Sequence, residues 1–284
     1  QIFNNVENFA LDMSIKDNCF KMAKGVSGVL NMACNMGGMG FIENNKAECM
    51  LSVLVNTHML MACKEHKVKK YFFSSSACAY NKDLQDKPDI SGLKESDAYP
   101  ANPEDGYGWE KLFSERMCRH YLEDYGLDTK VARYHNVYGP NGTYDGGREK
   151  APAALCRKVI LANQKNSDII DVWGDGKQTR SFLFIEDCVD ATLQFFNSDH
   201  HGPINIGSEE KVSINEMIEK IEKISSKKFK KNYQLDKPKG VRGRSSNNDL
   251  IRKLLKWEPK YNLSEGLKKT YQWIEEDIKK KHNQ

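Results

Sequence analysis

The chain has 284 residues, 39% of them hydrophobic and 29% charged, with a formal net charge of +4. This is enough apolar material for one large or two modest domains. We find no signal peptide, no apolar run of about 18 residues, no zinc-finger spacing and no aromatic–basic repeat, so we expect a cytosolic protein with neither a membrane nor a nucleic acid as partner.

Short apolar runs alternate with amphipathic stretches through the first half of the chain. Hydrophobic periodicity and capping residues predict a strand at 9–11, a helix at 14–24 capped by Ser14, a strand at 28–33, a helix at 47–66, a strand at 68–74, a helix at 105–125 and a strand at 129–133. Strands that alternate with helices in this way predict an α/β fold with a parallel, doubly wound sheet of the Rossmann type.

The second half begins with glycine-rich loops at 139–142 and 146–147. It continues with a predicted helix at 152–162, a turn at 172–176, a strand at 180–185, a helix at 186–196, a strand at 204–206, a helix at 213–225 with Ser213 and Glu216 as capping box, and a helix at 263–280. We therefore expect a dinucleotide-binding domain over 1–138. A smaller α/β substrate-binding region follows over 139–284, and the chain crosses back near 180–207.

Eight cysteines are scattered along the chain, and none forms a Cys-x-x-Cys pair. They lie among apolar or helical residues, as reduced thiols of a cytosolic protein do. We predict no metal site.

A serine at the end of an apolar strand precedes a Tyr-x-x-x-Lys pair. Tyr107 and Lys111 are four residues apart on a predicted helix, so they share one face. A lysine ammonium beside a phenol favours the tyrosinate and moves the tyrosine pKa towards neutrality. Such a phenol can take the proton of a substrate hydroxyl while a hydride leaves the same carbon, and Ser76 is placed to bond that oxygen. The alternative is that these are ordinary surface residues of a helix.

Several longer motifs indicate a more specific family than the Tyr-x-x-x-Lys pair does. The chain resembles the extended short-chain dehydrogenases/reductases (the NAD-dependent epimerase/dehydratase superfamily) that act on nucleotide sugars, and among them the GDP-mannose 3,5-epimerases. The motifs that carry the resemblance are Asn35-Met36-Gly37-Gly38-Met39-Gly40-Phe41-Ile42, Ser75-Ser76-Ala77-Cys78, Tyr107-Gly108-x-Glu110-Lys111, His135-Asn136-Val137-Tyr138-Gly139-Pro140, Gly146-Gly147-Arg148-Glu149-Lys150-Ala151-Pro152, Gln178-Thr179-Arg180-Ser181-Phe182 and Gly240-Val241-Arg242-Gly243-Arg244.

The sequence departs from that family at its beginning. The family has a first strand, a Gly-x-x-Gly-x-x-Gly turn and a helix that carries the dinucleotide pyrophosphate. We expect this first βαβ unit to be missing, either because the sequence is a fragment or has a mis-predicted start, or because the cofactor loop has been lost. Two functions follow: an NAD-dependent epimerase of GDP-mannose, or a truncated, inactive remnant that binds a nucleotide sugar or pairs with an intact subunit.

The resemblance implies a reaction and roles for individual residues. Oxidation at C4 of the hexose makes its neighbours C3 and C5 acidic, and GDP-D-mannose then becomes GDP-L-galactose by inversion at both carbons. Tyr107, with Lys111 and Ser76, serves the C4 oxygen, Cys78 is the base and Lys150 the acid. We expect burial and neighbouring charge to move both pKa values towards neutrality. The alternatives are a small buried apolar residue for Cys78 and a solvated loop residue for Lys150.

The remaining roles are also implied by the resemblance. NAD is the cofactor, bound by Asp12, Ala33, Tyr107 and Lys111. GDP-mannose or a related GDP-hexose is bound by Gly37, Gly38, Ser76, Ala77, Cys78, Asn136, Glu149, Lys150, Ala151, Lys158, Gln178, Thr179, Arg180, Arg242 and Arg244. The cations suit a diphosphate, and we prefer Arg244 to Arg242. The two glycines let the backbone approach the hexose. A turn-forming Asn136, a helix-capping Asp12 and surface cations remain alternatives. A homodimer is implied as well.

Overall fold

The computed structural model describes residues 5–282, without the side chain of residue 282. The helices are α1 Lys16–Ala23, α2 Met39–Asn44, α3 Lys46–Met50, α4 Val53–Glu65, α5 Asp105–Tyr125, α6 Ala151–Gln164, α7 Ile185–Asn197, α8 Ile214–Ser225, α9 Asp249–Leu255 and α10 Leu263–His282. The strands are β1 Gly28–Asn31, β2 Lys70–Ser76, β3 Asp128–Tyr134, β4 Val137–Tyr138, β5 Ile169–Trp173, β6 Thr179–Ser181, β7 Leu183–Phe184, β8 Ile204–Ile206, β9 Lys211–Ser213, β10 Lys230–Gln234 and β11 Gly243–Arg244. Within the described range, no helix is both long and apolar enough to cross a membrane.

The main sheet is parallel, and its strand order is β1-β2-β3-β8. Side chains of β2 alternate between its two faces: Tyr71 and Phe73 pack with α1, α4 and α5, whereas Phe72 packs with α7 and α9. Helices therefore cover both faces, and the predicted doubly wound Rossmann-type sheet is confirmed. Among the described residues this sheet has four strands, with β1 at one edge.

The carboxyl ends of the parallel strands meet at one edge of the main sheet. Ser76 at the end of β2 lies opposite Tyr134 at the end of β3, which lies opposite Ile206 at the end of β8. Ligands of open α/β sheets bind at this edge, so the register places Ser76 where a site is expected.

A second core lies among α6, α8 and α10. Three small sheets accompany it: the parallel pair β5 and β10, the set β11-β6-β9, and the parallel pair β4 and β7. Between these elements the chain returns through α7 to β8, which pairs with β3 in the main sheet.

Some predicted elements differ from the structure. Residues 9–11 form no strand, because no described strand pairs with them and the Phe9 side chain is exposed. Ser14 does not cap α1: its hydroxyl donates to the Asp12 carboxylate at 2.7 Å, and Ile15 is the residue before the helix. The cap was wrongly predicted because a serine can bond either partner.

Three boundaries were also wrong. The predicted helix at 47–66 is divided into α3 and α4 around residues 51–52. The turn predicted at 172–176 begins only at Gly174, since Val172 and Trp173 belong to β5 and pair with β10. The strand predicted at 180–185 is divided into β6 and β7, because β6 pairs with β9 and β11 whereas β7 pairs with β4.

Two local predictions are confirmed closely. Helix α5 has the predicted bounds and ends at Gly126, whose φ of 68° terminates the helix in the left-handed conformation. The capping box of α8 is formed: the Glu216 N–H donates to Ser213 Oγ at 3.1 Å, and the Ser213 N–H donates to the Glu216 carboxylate at 2.7 Å.

Candidate active site

A cavity of about 290 Å³ opens at the carboxyl edge of the main sheet. It lies between the end of β2, the start of α5 and the second core. The sequence-predicted residues that line it are Gly37, Gly38, Ser76, Ala77, Cys78, Tyr107, Asn136, Glu149, Lys150, Ala151, Lys158, Gln178, Arg180 and Arg244. Residues from distant parts of the chain thus meet in one place.

The segment after β2 turns sharply and presents Cys78 to the cavity. Ser76 Oγ accepts a hydrogen bond from the Cys78 N–H at 3.2 Å, and the Glu104 N–H donates to the Cys78 carbonyl oxygen at 3.1 Å. A side chain at Gly108 would collide with that same carbonyl oxygen. Glycine at 108 therefore lets the first turn of α5 pack directly on the backbone of Cys78.

Tyr107 and Lys111 share the buried face of α5, as predicted. Lys111 Nζ lies 5.5 Å from the centre of the Tyr107 ring and 3.5 Å from Glu110 Oε2. The expected shift of the phenol towards neutrality is wrong in direction: burial raises the pKa of Tyr107 well above its ordinary value, and nearby Cys34 and Cys78 raise it further. The bond from Ser76 opposes this only in part.

Cys78 and Lys150, the predicted base and acid, have pKa values that shift in opposite directions. Burial raises the pKa of the Cys78 thiol, although Arg244 Nη1 lies 3.4 Å from its sulfur and acts in the opposite direction. The expected downward shift of this thiol is therefore wrong, because loss of hydration outweighs the guanidinium. Burial lowers the pKa of Lys150, as expected. Lys150 immediately precedes α6, whose Pro152 fixes the first turn.

Further polar groups line the same cavity. Arg180 donates to the carbonyl oxygens of Val241 at 2.6 Å and Lys239 at 3.2 Å, and burial together with Arg244 lowers its pKa to about 10. Lys158 Nζ donates to the Asp171 carbonyl oxygen at 2.8 Å. Gln178 Oε1 is buried and accepts no hydrogen bond from any described residue. An acceptor and two cations are thus available to a polar ligand.

Several predicted residues do not line the cavity. Asp12 is exposed and binds Ser14, and Ala33 is an exposed residue after β1. The Thr179 hydroxyl donates to the Pro88 carbonyl, and Arg242 Nη1 lies 3.1 Å from Asp175 Oδ1. Lys111 does not line the cavity, although it shares the buried face of α5 with Tyr107. The cofactor roles of Asp12 and Ala33 and the substrate roles of Thr179 and Arg242 stay predictions.

Two cavity residues have protein partners that the sequence did not indicate. Asn136, with a left-handed φ of 45°, donates its amide to the Ser181 carbonyl oxygen at 3.0 Å. Arg244 donates to Gln85 Oε1 at 2.6 Å and to Glu104 Oε2 at 2.7 Å. Its guanidinium is therefore oriented by protein groups beside Cys78, and a direct diphosphate contact by Arg244 stays a prediction.

The glycines at 37 and 38 join two protein segments. The Gly38 N–H donates to the Arg148 carbonyl oxygen at 3.0 Å, and a side chain at Gly38 would collide with the Glu149 carbonyl oxygen. A Cβ at Gly37 would lie 2.7 Å from Phe41 Cβ. The two glycines therefore allow the segment before α2 to pack closely on the loop before α6. Their predicted approach to a hexose stays a prediction.

Sequence reasoning missed Trp173, which lines the cavity, and Glu104, which contacts the lining residue Arg244. Trp173 lines the cavity with Lys158 Nζ 5.8 Å from its ring centre, yet the sequence suggested only a turn there. Glu104 contacts Arg244 across 140 positions of the chain. A longer strand prediction would have recovered Trp173, whereas no local signal marks Glu104.

Known proteins are similar to this chain in sequence and in fold. A profile of the NAD dependent epimerase/dehydratase family matches residues 3–207. The chain belongs to this family. The GDP-mannose 3,5-epimerase of Arabidopsis thaliana is 46% identical over 271 residues, which cover 95% of this chain and 71% of that protein.

Two solved structures of UDP-glucose 4-epimerases share the fold of this family member. The Thermotoga maritima enzyme, solved with UDP-glucose, has a TM-score of 0.87 at 21% identity and covers 98% of this chain and 87% of its own. The Thermus thermophilus enzyme, solved with NAD, has a TM-score of 0.81 at 20% identity and covers 96% of this chain and 86% of its own. The predicted superfamily is confirmed.

The family name implies a dinucleotide, and part of such a site fits the residues present. Lys111 Nζ is buried and lies 3.5 Å from Glu110 Oε2, but it donates no hydrogen bond to any of residues 5–282. A buried ammonium group needs an acceptor, and a ribose hydroxyl would supply one beside Tyr107. No Gly-x-x-Gly-x-x-Gly turn precedes β1 in the described part of the chain, so the fit concerns the nicotinamide end.

Proposed function

We propose that this chain is an NAD-dependent nucleotide-sugar epimerase that converts GDP-D-mannose to GDP-L-galactose by inverting C3 and C5. The observation that carries the proposal is the meeting of Tyr107, Cys78 and Lys150 around one cavity. The 46% identity to a GDP-mannose 3,5-epimerase supports the choice of substrate.

Tyr107 and Ser76 act on the hydroxyl group at C4 of the hexose. Tyr107 and Lys111 would hold the nicotinamide end of NAD, which would supply the reversible hydride acceptance that oxidation at C4 requires. Tyr107 takes the hydroxyl proton as the ketone forms and gives it back when the alcohol is restored. Ser76 bonds the same oxygen and holds it against the phenol. Because burial raises the Tyr107 pKa, this proton transfer is favoured by increasing pH.

Cys78 and Lys150 exchange the protons on C3 and C5. A ketone at C4 acidifies both carbons, and inversion requires one group to remove a proton and another to supply one from the opposite face. In the proposed cycle Cys78 acts as the base and Lys150 as the acid. Burial opposes the charged form of both groups, so it disfavours the thiolate that removes a proton and the ammonium that supplies one. The Arg244 guanidinium favours the thiolate when Cys78 gives up its proton.

The GDP portion is assigned to the part of the cavity that Lys158, Arg180 and Trp173 line. Lys158 and Arg180 supply positive charge there, and Trp173 presents an aromatic face that is 43% exposed. Guanidinium and ammonium groups bind phosphate oxygens, and an aromatic face stacks on a base. Gln178 Oε1 remains available as an acceptor for a donor of the substrate.

We infer a homodimer formed by α5 together with α3 and α4. Their outer surface carries large apolar side chains that are exposed, namely Met50, Leu51, Leu54, Trp109 and Phe113. An apolar patch of this kind is typical of a subunit interface. Light scattering after size exclusion tests this: a mass near 32.5 kDa at micromolar concentration contradicts the dimer.

Proton NMR in D₂O tests the function. The chain is incubated with GDP-mannose and NAD, and we expect deuterium to appear at C5 and C3. Cys78→Ala and Lys150→Ala should abolish this exchange, whereas Arg119→Ala, at an exposed position of α5, should retain it. A folded chain that binds GDP-mannose but neither binds NAD nor exchanges protons would instead support the inactive, nucleotide-sugar-binding alternative.

A further inference from the structure

Glu104 is a buried carboxylate at the entrance to α5, next to the candidate base. Its backbone N–H donates to the Cys78 carbonyl oxygen at 3.1 Å, and the residue is 7% exposed. Its Oε2 accepts from Arg244 Nη2 at 2.7 Å. Glu104 therefore contacts Cys78 through its backbone and Arg244 through its side chain.

The guanidinium of Arg244 connects this carboxylate to the thiol. Nη1 lies 3.4 Å from Cys78 Sγ, while Nε donates to Gln85 Oε1 at 2.6 Å. With Nη2 held by Glu104, each nitrogen of the planar group has its own partner. Glu104 and Gln85 thus hold the guanidinium beside the sulfur, and the Glu104 carboxylate offsets its positive charge.

We propose that Glu104 is a positioning residue that controls the ionisation of Cys78 by fixing Arg244 against the sulfur and neutralising its positive charge. The significance of this role for catalysis rests on the proposed epimerase function. The role itself is a property of the substrate-free site and can be tested without turnover.

The surrounding charges give the direction of the effect. The charged or titratable groups around the thiol are Arg244, Arg180, Glu104, Tyr107 and Lys150. Burial is the largest single influence on Glu104 and raises its pKa, but the charge and hydrogen bond of Arg244, the charge of Arg180 and the bond from Cys78 together leave the pKa lowered, so this carboxyl is ionised at neutral pH. Its negative charge opposes the thiolate. In the resting site, Glu104 accordingly keeps Cys78 protonated.

The test is the pH dependence of Cys78 alkylation by iodoacetamide, followed by mass spectrometry of the peptide that contains Cys78. Glu104→Gln keeps the shape but removes the charge, and the midpoint of alkylation should fall by about one pH unit or more. Glu104→Asp retains the charge and should stay close to the unchanged protein. Glu43→Gln, which removes a nearby carboxylate without contact to Arg244, is the matched control.

Arg244→Gln provides a second arm in the opposite direction. It removes the cation while the carboxylate stays, so the alkylation midpoint should rise. If the midpoint is unchanged in whichever of these two variants folds, as judged by circular dichroism, the proposal is overturned. A chain that shows these shifts but exchanges no proton of GDP-mannose would refute the epimerase function and leave the role of Glu104 intact.

Discussion

The backbone N–H of Gly38 donates to the carbonyl oxygen of Arg148 at 3.0 Å, and this bond joins two loops separated by 110 positions. Arg148 strengthens the junction: its Nη1 donates to Asn35 Oδ1 at 2.9 Å, and its guanidinium lies 4.0 Å from the centre of the Phe41 ring. Lys150 is two residues further along the same loop. The junction therefore sets where its amine lies over the cavity.

Replacing Gly38 by alanine should loosen this junction. The added methyl group would collide with the Glu149 carbonyl oxygen, and overpacking of this kind costs about 1–3 kcal/mol. We expect a lower free energy of unfolding and a raised KM for GDP-mannose. Gly142→Ala is the matched control, because its Cβ would lie 3.3 Å from the Gly139 carbonyl oxygen and its φ is not left-handed. Equal stability of the two variants in urea would contradict the prediction.

Replacing Arg148 by methionine should lower kcat while leaving the free energy of unfolding nearly unchanged. Arg148 is exposed, so little burial is lost, but the loop that carries Lys150 loses its bonds to Asn35 and the Met36 carbonyl. Misplacement of a catalytic group by about 1 Å can cost on the order of 100-fold. We expect a decrease in kcat of at least about tenfold in steady-state assays. Arg119→Met, on a solvated face of α5, should have no such effect.

The activity should increase with pH through the phenol. Burial, Cys34 and Cys78 raise the pKa of Tyr107, so only a small fraction is ionised near neutrality and that fraction grows about tenfold per pH unit. The logarithm of kcat/KM should therefore rise with pH on the acidic side, and the Cys78 thiol, whose pKa burial also raises, adds to the slope. Tyr107→Phe should lower kcat/KM by about 10²–10⁴-fold and make the slope shallower by about one; an unchanged slope in this variant assigns the whole titration to other groups.

Stability should fall in mild acid because of His135. Complete burial lowers the pKa of this imidazole to about 3, although its bond to Asn205 acts in the opposite direction. The unfolded chain takes up a proton below about pH 6.5 and the folded chain does not, so the contribution is complete above that pH and is lost as pH falls towards 3. Between pH 7 and pH 5 this amounts to about 2 kcal/mol.

Urea unfolding at the two pH values measures this difference. His135→Gln lacks the titrating imidazole and should lose about that share of the pH dependence, whatever its own stability. His200→Gln, at a half-buried position in the loop after α7, is the matched control and should keep the full dependence. A His135→Gln variant with an unchanged pH dependence would assign the effect to other groups.

Local sequence signals predicted the fold well where one principle dominates. Helix α5 has both its bounds predicted, because its amphipathic pattern ends at a glycine suited to the left-handed conformation. The strand at 9–11 failed because a strand requires partners, which a short apolar run cannot reveal. The division of 180–185 into β6 and β7 depends on three different neighbouring strands, none of which is visible locally.

The sequence predicted which residues meet in the cavity better than it predicted the directions of their pKa shifts. Motifs located Cys78, Tyr107 and Lys150, which share one cavity. The pKa directions of Cys78 and Tyr107 were wrong because they depend on burial, which only the assembled fold determines. Glu104 was missed for the same reason: its partner Arg244 becomes a neighbour only after the chain has folded.

Helix α5 presents different chemistry on its two sides. Tyr107 and Lys111 face the interior, whereas Trp109 and Phe113 are 46% and 52% exposed. Residues three or four positions apart share a face of a helix, so Trp109 and Phe113 form one pair and Tyr107 and Lys111 another. One element thus carries an apolar surface that faces outward and the polar pair that faces inward, and a substitution that unwinds α5 would disturb both.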